Sequence, residues 1–193
     1  YCRTGNCVVR FQRRIGAGAA LFSGSLNAIA PIAAKSAFAV NSNGAIFLTG
    51  DAGANWTVSY NAAVNDSFYG IASVSSTDAF AVGVNGRFAR TSTGGGMWTV
   101  GQIPMVTATL NEVWGSSATD VYAVGTTGTI VRWNGNAWTK QTNPATDALN
   151  SVHGAGGAVY AVGAAGTILK TTNQGTTWTK LTVNSTSTLH SVF

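Results

Sequence analysis

The 193-residue chain carries 9% charged residues, against about 25% in an ordinary soluble domain, while 45% of it is apolar. That balance supplies a core and excludes wholesale disorder, and 24 glycines with abundant Thr, Asn, Ser and Ala favour short strands and tight turns over helices. The net charge of +5 is spread thinly outside Arg10, Arg13 and Arg14, unlike the dense basic stripe of a nucleic-acid protein, and no apolar run approaches the ~20 residues of a membrane span.

In chain order, the first residues hold the only cysteines, Cys2 and Cys7. A lone pair cannot supply the four ligands of a structural zinc site. With a turn-like Arg3 to Asn6 between them, they are expected to form a disulfide across a hairpin in an exported protein; two reduced, buried thiols are the alternative. The chain begins at Tyr1 rather than Met, which predicts a processed or trimmed product. Gly16 to Leu21 starts like a dinucleotide fingerprint, but no helix follows, so it is expected to be a turn and a strand.

From Leu26 onward the sequence repeats. Ala-Val recurs at Ala39, Ala81, Ala123 and Ala161, and Trp-Thr at Trp56, Trp98, Trp138 and Trp178. An apolar opener recurs at Leu26, Phe68, Leu110, Leu149 and Leu189. Three signatures share one period of about 40 residues, which sets units at 26–67, 68–109, 110–148 and 149–188. Each unit reads as four short strands. In the third they are Leu110–Trp114, Val121–Gly125, Thr129–Trp133 and Ala137–Gln141, separated by residues that tolerate turn dihedrals. Four strands per unit of this length predict an all-β chain, a β-propeller whose blades are sandwiched between neighbours.

The ends predict how the ring closes. Residues 189–193 are a fifth strand A alone, and residues 1–25 read as the rest of that blade, with Val8 to Phe11 matching Ile130 to Trp133. The expectation is five blades in a single domain, one of them split between 1–25 and 189–193. Such closure removes open sheet edges. A Cys2–Cys7 bridge would pin the split blade by roughly 2 kcal/mol. A fragment of a larger or oligomeric propeller is the alternative.

At the hairpins between strands C and D the sequence resembles a known repeat. Thr172 to Trp178, Thr49 to Trp56 and, more loosely, Thr91 to Trp98 resemble the Asp-box, roughly Ser/Thr-x-Asp-x-Gly-x-Thr-Trp, with a shorter version at Asn134 to Trp138. Val159 to Gly163 followed by Gly166 to Lys170 resembles repeats of photosystem-assembly-factor-like and sialidase-type propellers. The resemblance implies the propeller fold and outer hairpins stabilised by a short polar side chain, with Asp kept at Asp51 and replaced at Asn173 and Thr93. A sialidase would further imply an arginine cluster, a Tyr–Glu pair and an acid/base Asp, which this sequence does not supply.

The remaining residues argue against catalysis. Asp78 and Asp120 share one repeat position and Asp66 and Asp147 another, as turn formers would. Glu112 alone departs from its repeat equivalents Ala28, Gly70, Ser151 and Ser191, and glycoside hydrolysis wants two carboxylates. His153 and His190 occupy different repeat positions, so no metal and no cofactor is expected. Trp114 and His153 stand where Ala30 and Ala72 stand in other units, on adjacent blades. With Glu112 they form the candidate ligand site, an aromatic face with polar groups to orient a sugar or side chain. The alternative is that Trp114 and Phe193 plug the channel. Arg10, Arg90, Arg132 and Lys170 share a strand C position and read as solvated rim charge. The function expected is a non-catalytic, secreted or cell-surface binding propeller with a glycan or protein partner. The other readings are a structural subunit of a larger assembly, which includes a homo-oligomer, and a divergent sialidase-like glycosidase.

Overall fold

The computed structural model describes residues 24–61 and 66–193. They form four antiparallel sheets of four strands, each hydrogen-bonded in sequence order. The first blade is β1 (Leu26–Ala33), β2 (Ser36–Asn41), β3 (Ala45–Thr49) and β4 (Thr57–Asn61). The second is β5 (Phe68–Ser73), β6 (Ala79–Gly83), β7 (Arg87–Thr91) and β8 (Thr99–Gln102). The third is β9 (Leu110–Ser117), β10 (Asp120–Gly125), β11 (Ile130–Trp133) and β12 (Trp138–Lys140), and the fourth β13 (Leu149–Ala155), β14 (Ala158–Gly163), β15 (Ile168–Thr171) and β16 (Thr179–Lys180). The expected strands of the third unit are all present. Strand A extends to Ser117 because its pairing with β10 continues through a bulge to Asp120.

The innermost strands β1, β5, β9 and β13 pack against one another in turn. The core lies between the sheets. Phe38, Val40 and Ile46 of blade one meet Phe68, Ile71 and Ala81 of blade two. Phe80 and Val82 meet Val113, Trp133 and Trp138, and Tyr122 and Ile130 meet Leu149, Leu169 and Trp178. Blades two and three are therefore apolar on both faces, which leaves few positions in them for a solvated charge.

In blades two to four, strand B ends so close to the start of its own blade's strand A that only glycine fits. A Cβ on Gly83, Gly125 or Gly163 would overlap the carbonyl oxygen of Ser67, Thr109 or Ala148, just before the inner strand of the same blade. Asn27, Asn111 and Asn150 donate from Nδ2 to the carbonyls of Phe68, Leu149 and Leu189 at 2.7, 2.8 and 2.9 Å, each clamping one blade to the next. The bond to Leu189 places residues 189–193 beside β13 as β13 lies beside β9. Cys2, Cys7 and the expected strands of residues 1–23 lie outside the described residues.

The loops separate onto two faces. Strand A–B turns and C–D hairpins share one face, where the Ala52 amide donates to the Lys35 carbonyl and the Gly94 amide to the Thr77 carbonyl. The B–C turns and D–A loops share the other, where Gly86 donates to Ala108 and Thr126 to Thr109. Three B–C turns place two consecutive residues in the left-handed region, Asn85-Gly86, Thr127-Gly128 and Ala165-Gly166. This geometry suits the twist of a two-residue hairpin.

Candidate functional site

Glu112 and Trp114 are two residues apart on β9, so their side chains leave the same face, while Val113 turns into the core shared with blade two. That face meets β13. Glu112 accepts the Val152 amide at Oε2 (2.8 Å), and the Trp114 ring lies 5.4 Å from the His153 ring and 6.5 Å from Tyr122, to which it is stacked. The three residues singled out from the sequence are therefore brought together across one blade interface. Trp114 and His153 are both half-buried.

Each has a packing role as well. The Trp114 indole lies over Gly154, where any Cβ would overlap the ring. Glu112 does for blades three and four what Ser151 does one blade later, since Ser151 Oγ accepts the Val192 amide at 3.0 Å. Gly70, at the same repeat position, has no room for a side chain, because a Cβ would sit 2.8 Å from Glu112 Cα. Burial pushes the Glu112 carboxyl above its ordinary range; the Ser151 hydroxyl, the Val152 amide and the His153 ring pull it back in part.

Two further channel residues are visible only once the clamp is known. Tyr69 stands in the clamp position of Asn27, Asn111 and Asn150 and is 38% exposed; His190 occupies the same position in the last segment and is exposed. Misfits to the second letter of the strand A opener would have marked both.

Of the rim cations Arg10 lies outside the described residues, and Arg90 and Arg132 are not free charge, contrary to the sequence expectation. Arg90 pairs with Asp78 (3.6 Å) and lies 5.2 Å from the Trp133 ring of the next blade. Arg132 bonds Asp120 (2.8 Å) and reaches Gln174 of the next blade (3.1 Å). Arg87 pairs with Asp66. Burial, then the Asp120 charge, pushes the Tyr122 hydroxyl to about 12. Asp78 and Asp120 also bind turn hydroxyls of Ser75 and Ser116, as expected of turn formers.

The C–D hairpins of blades one, two and four share one capping pattern, while in blade three Asn134 Oδ1 accepts the Asn136 and Ala137 amides. The hydroxyls of Thr49, Thr91 and Thr171 accept the amides of Gly53, Gly95 and Gly175. The side chains of Asp51, Thr93 and Asn173 accept the amides of Asn55, Met97 and Thr177 at 2.8, 2.8 and 3.0 Å. A hydroxyl and an amide oxygen thus reproduce the carboxylate's contact. On the same loop face, an open cleft of about 380 Å³ separates blades one and two. Among the described residues no group of three His, Cys, Asp or Glu side chains is placed to hold a metal, and no helix is long and apolar enough to cross a membrane.

No protein-family model matches the chain, and no curated protein matches it. Solved structures do. A YCF48 structure described as bound to D1 peptide is 15% identical, with a TM-score of 0.67 over 86% of this chain and 56% of that one. An ancestral GH74 enzyme is 15% identical, with a TM-score of 0.67 over 84% of this chain and 24% of that one. YCF48 from Cyanidioschyzon merolae is 17% identical, with a TM-score of 0.64 over 89% of this chain and 60% of that one. The chain spans less than two thirds of each of these proteins. At such identities the likeness speaks to architecture. Together with the four stacked four-stranded sheets and their shared inner wall, it makes this chain a β-propeller, similar in fold to YCF48.

Proposed function

We propose that the chain is a non-catalytic, exported binding propeller that recognises a glycan or protein partner where Trp114 and His153 meet at the channel wall. The observation that carries this reading is the pair itself: two half-buried rings, 5.4 Å apart, on neighbouring inner strands where other units carry alanine. Such a pair offers an apolar face and a polar edge to a sugar ring or a side chain. The YCF48 structure with a bound peptide supports a protein partner for a fold of this kind. The capping pattern of the C–D hairpins in blades one, two and four supports reading those three as Asp-boxes. Low charge and the expected Cys2–Cys7 disulfide support export.

The acids support the non-catalytic reading, although the GH74 neighbour is an enzyme. Asp66, Asp78 and Asp120 are paired with Arg87, Arg90 and Arg132, Asp51 caps a hairpin, and Glu112 holds the Val152 amide. Glycoside hydrolysis canonically uses two carboxylates flanking one bond.

The test is a glycan array and a protein pull-down with the purified chain. Selective binding that Trp114→Phe retains and Trp114→Ala loses is expected. A chain that binds nothing selectively and is found only as a polymer would replace this reading with a structural subunit. Turnover of a fluorogenic sialoside, abolished in Glu112→Gln, would replace it with a glycosidase.

A further inference from the structure

The described blades differ at one rim position. Across strands B and C, Phe80 pairs with Arg90, Tyr122 with Arg132 and Tyr160 with Lys170, and each cation lies 5.4–5.8 Å from the ring it faces. In blade one the pair is Phe38 with Leu48. The acid that holds the arginine, Asp78 or Asp120, becomes Ser36, and the Gln174 that Arg132 reaches across the cleft becomes Gly94. Three side chains that close the cleft between blades three and four are thus truncated together between blades one and two. The result is the 380 Å³ cleft, lined by Leu48, Ser36 and Gly94 with Ile32, Asp51 and Thr57.

Blade one also carries, at its C–D hairpin, an acid without a cation. Among the described residues Asp51 has no ion-pair partner, and its equivalents Thr93 and Asn173 are neutral. Its oxygens accept from the Asn55 amide, the Asn55 side chain and the Thr49 hydroxyl, with a further contribution from the Ala54 amide, and the side chain is exposed on the cleft wall. The same Asn55 and Thr49 bonds hold its carboxyl below the ordinary range, so it is charged at neutral pH.

We propose that the cleft between blades one and two is a receptor for an arginine side chain of a partner peptide, filled from outside where the neighbouring clefts are occupied by the chain's own arginines. Leu48 and Ile32 receive the alkyl stem, and Asp51 receives the guanidinium with the Thr57 hydroxyl beside it. Planar, charge-assisted recognition of this kind favours arginine. The site is separate from the Trp114–His153 pair and does not rest on it.

The experiment is an amide-shift titration of the whole chain with a capped Gly-Arg-Gly peptide and its citrulline counterpart, which keeps the shape and removes the charge. Saturable shifts confined to residues 32–36, 48–57, 76 and 94 are expected, at least five-fold weaker with citrulline. The double variant Leu48→Arg, Ser36→Asp refills the cleft and should abolish binding while raising Tm; Trp114→Ala should leave binding intact. Equal binding of citrulline, shifts elsewhere, no saturation, or binding retained by a folded double variant overturns the proposal. The citrulline comparison uses the unaltered chain, so a double variant that failed to fold would leave the test decisive.

Discussion

Glu112 joins two blades through a part-buried hydrogen bond to the Val152 amide, and its replacement separates the bond from the charge. In Glu112→Ala the Val152 amide loses its acceptor inside the channel wall. An orphaned buried donor costs about 1–3 kcal/mol. For a chain of this length each kcal/mol moves Tm by about 2–4 °C, so a fall of roughly 2–12 °C is expected. Glu112→Gln keeps an oxygen for the Val152 amide and removes the charge, so its Tm at pH 7 should stay well above that of the alanine variant. The pH dependence follows from burial. The folded carboxyl is held above its ordinary value of 4.5, so folding favours the protonated form. The stability linked to this group is therefore fully present below about pH 4.5 and is lost as pH rises through the raised folded value. The stability of the native chain relative to Glu112→Gln should accordingly decline between pH 4.5 and 7. Denaturant melts at four pH values measure it. A glutamine variant as damaged as the alanine variant, or a gap that widens in favour of glutamate as pH rises, would refute the reasoning.

Other variants probe the same wall and its turns. Asn111→Ala removes the clamp on the Leu149 carbonyl and should cost about 0.5–1.5 kcal/mol by chemical denaturation, and Asn150→Ala a similar amount through Leu189. Gly154→Ala drives a methyl into the Trp114 indole and should cost about 1–3 kcal/mol with a changed near-ultraviolet circular dichroism; Trp114→Ala in the same chain should relieve most of that cost. Ala165→Asn places a residue that tolerates the left-handed region at φ 52°, and should raise stability by up to about 1 kcal/mol in a thermal melt.

The candidate site was legible in part. Glu112, Trp114 and His153 stood out because each broke a repeat, and the fold brought all three to one blade interface. Their packing duties were not legible, because Gly154 under the indole and Val152 beside the carboxylate lie about 40 residues away in sequence. The rim arginines misled for the same reason. A repeated basic residue reads as solvated charge until the facing Asp and the next blade's Gln174 are seen beside it.

The sequence by itself determined the strand count per blade, the turn positions and the order of the sheets. These depend on alternation, turn-tolerant residues and a fixed period, all of which are local. Tertiary structure decided what each exception to the repeat means. Leu48, Ser36 and Gly94 are three unremarkable residues in sequence, and only the stacking of two blades turns their missing atoms into one cleft. An inter-blade surface belongs to two units at once, so no single unit of the repeat can announce it.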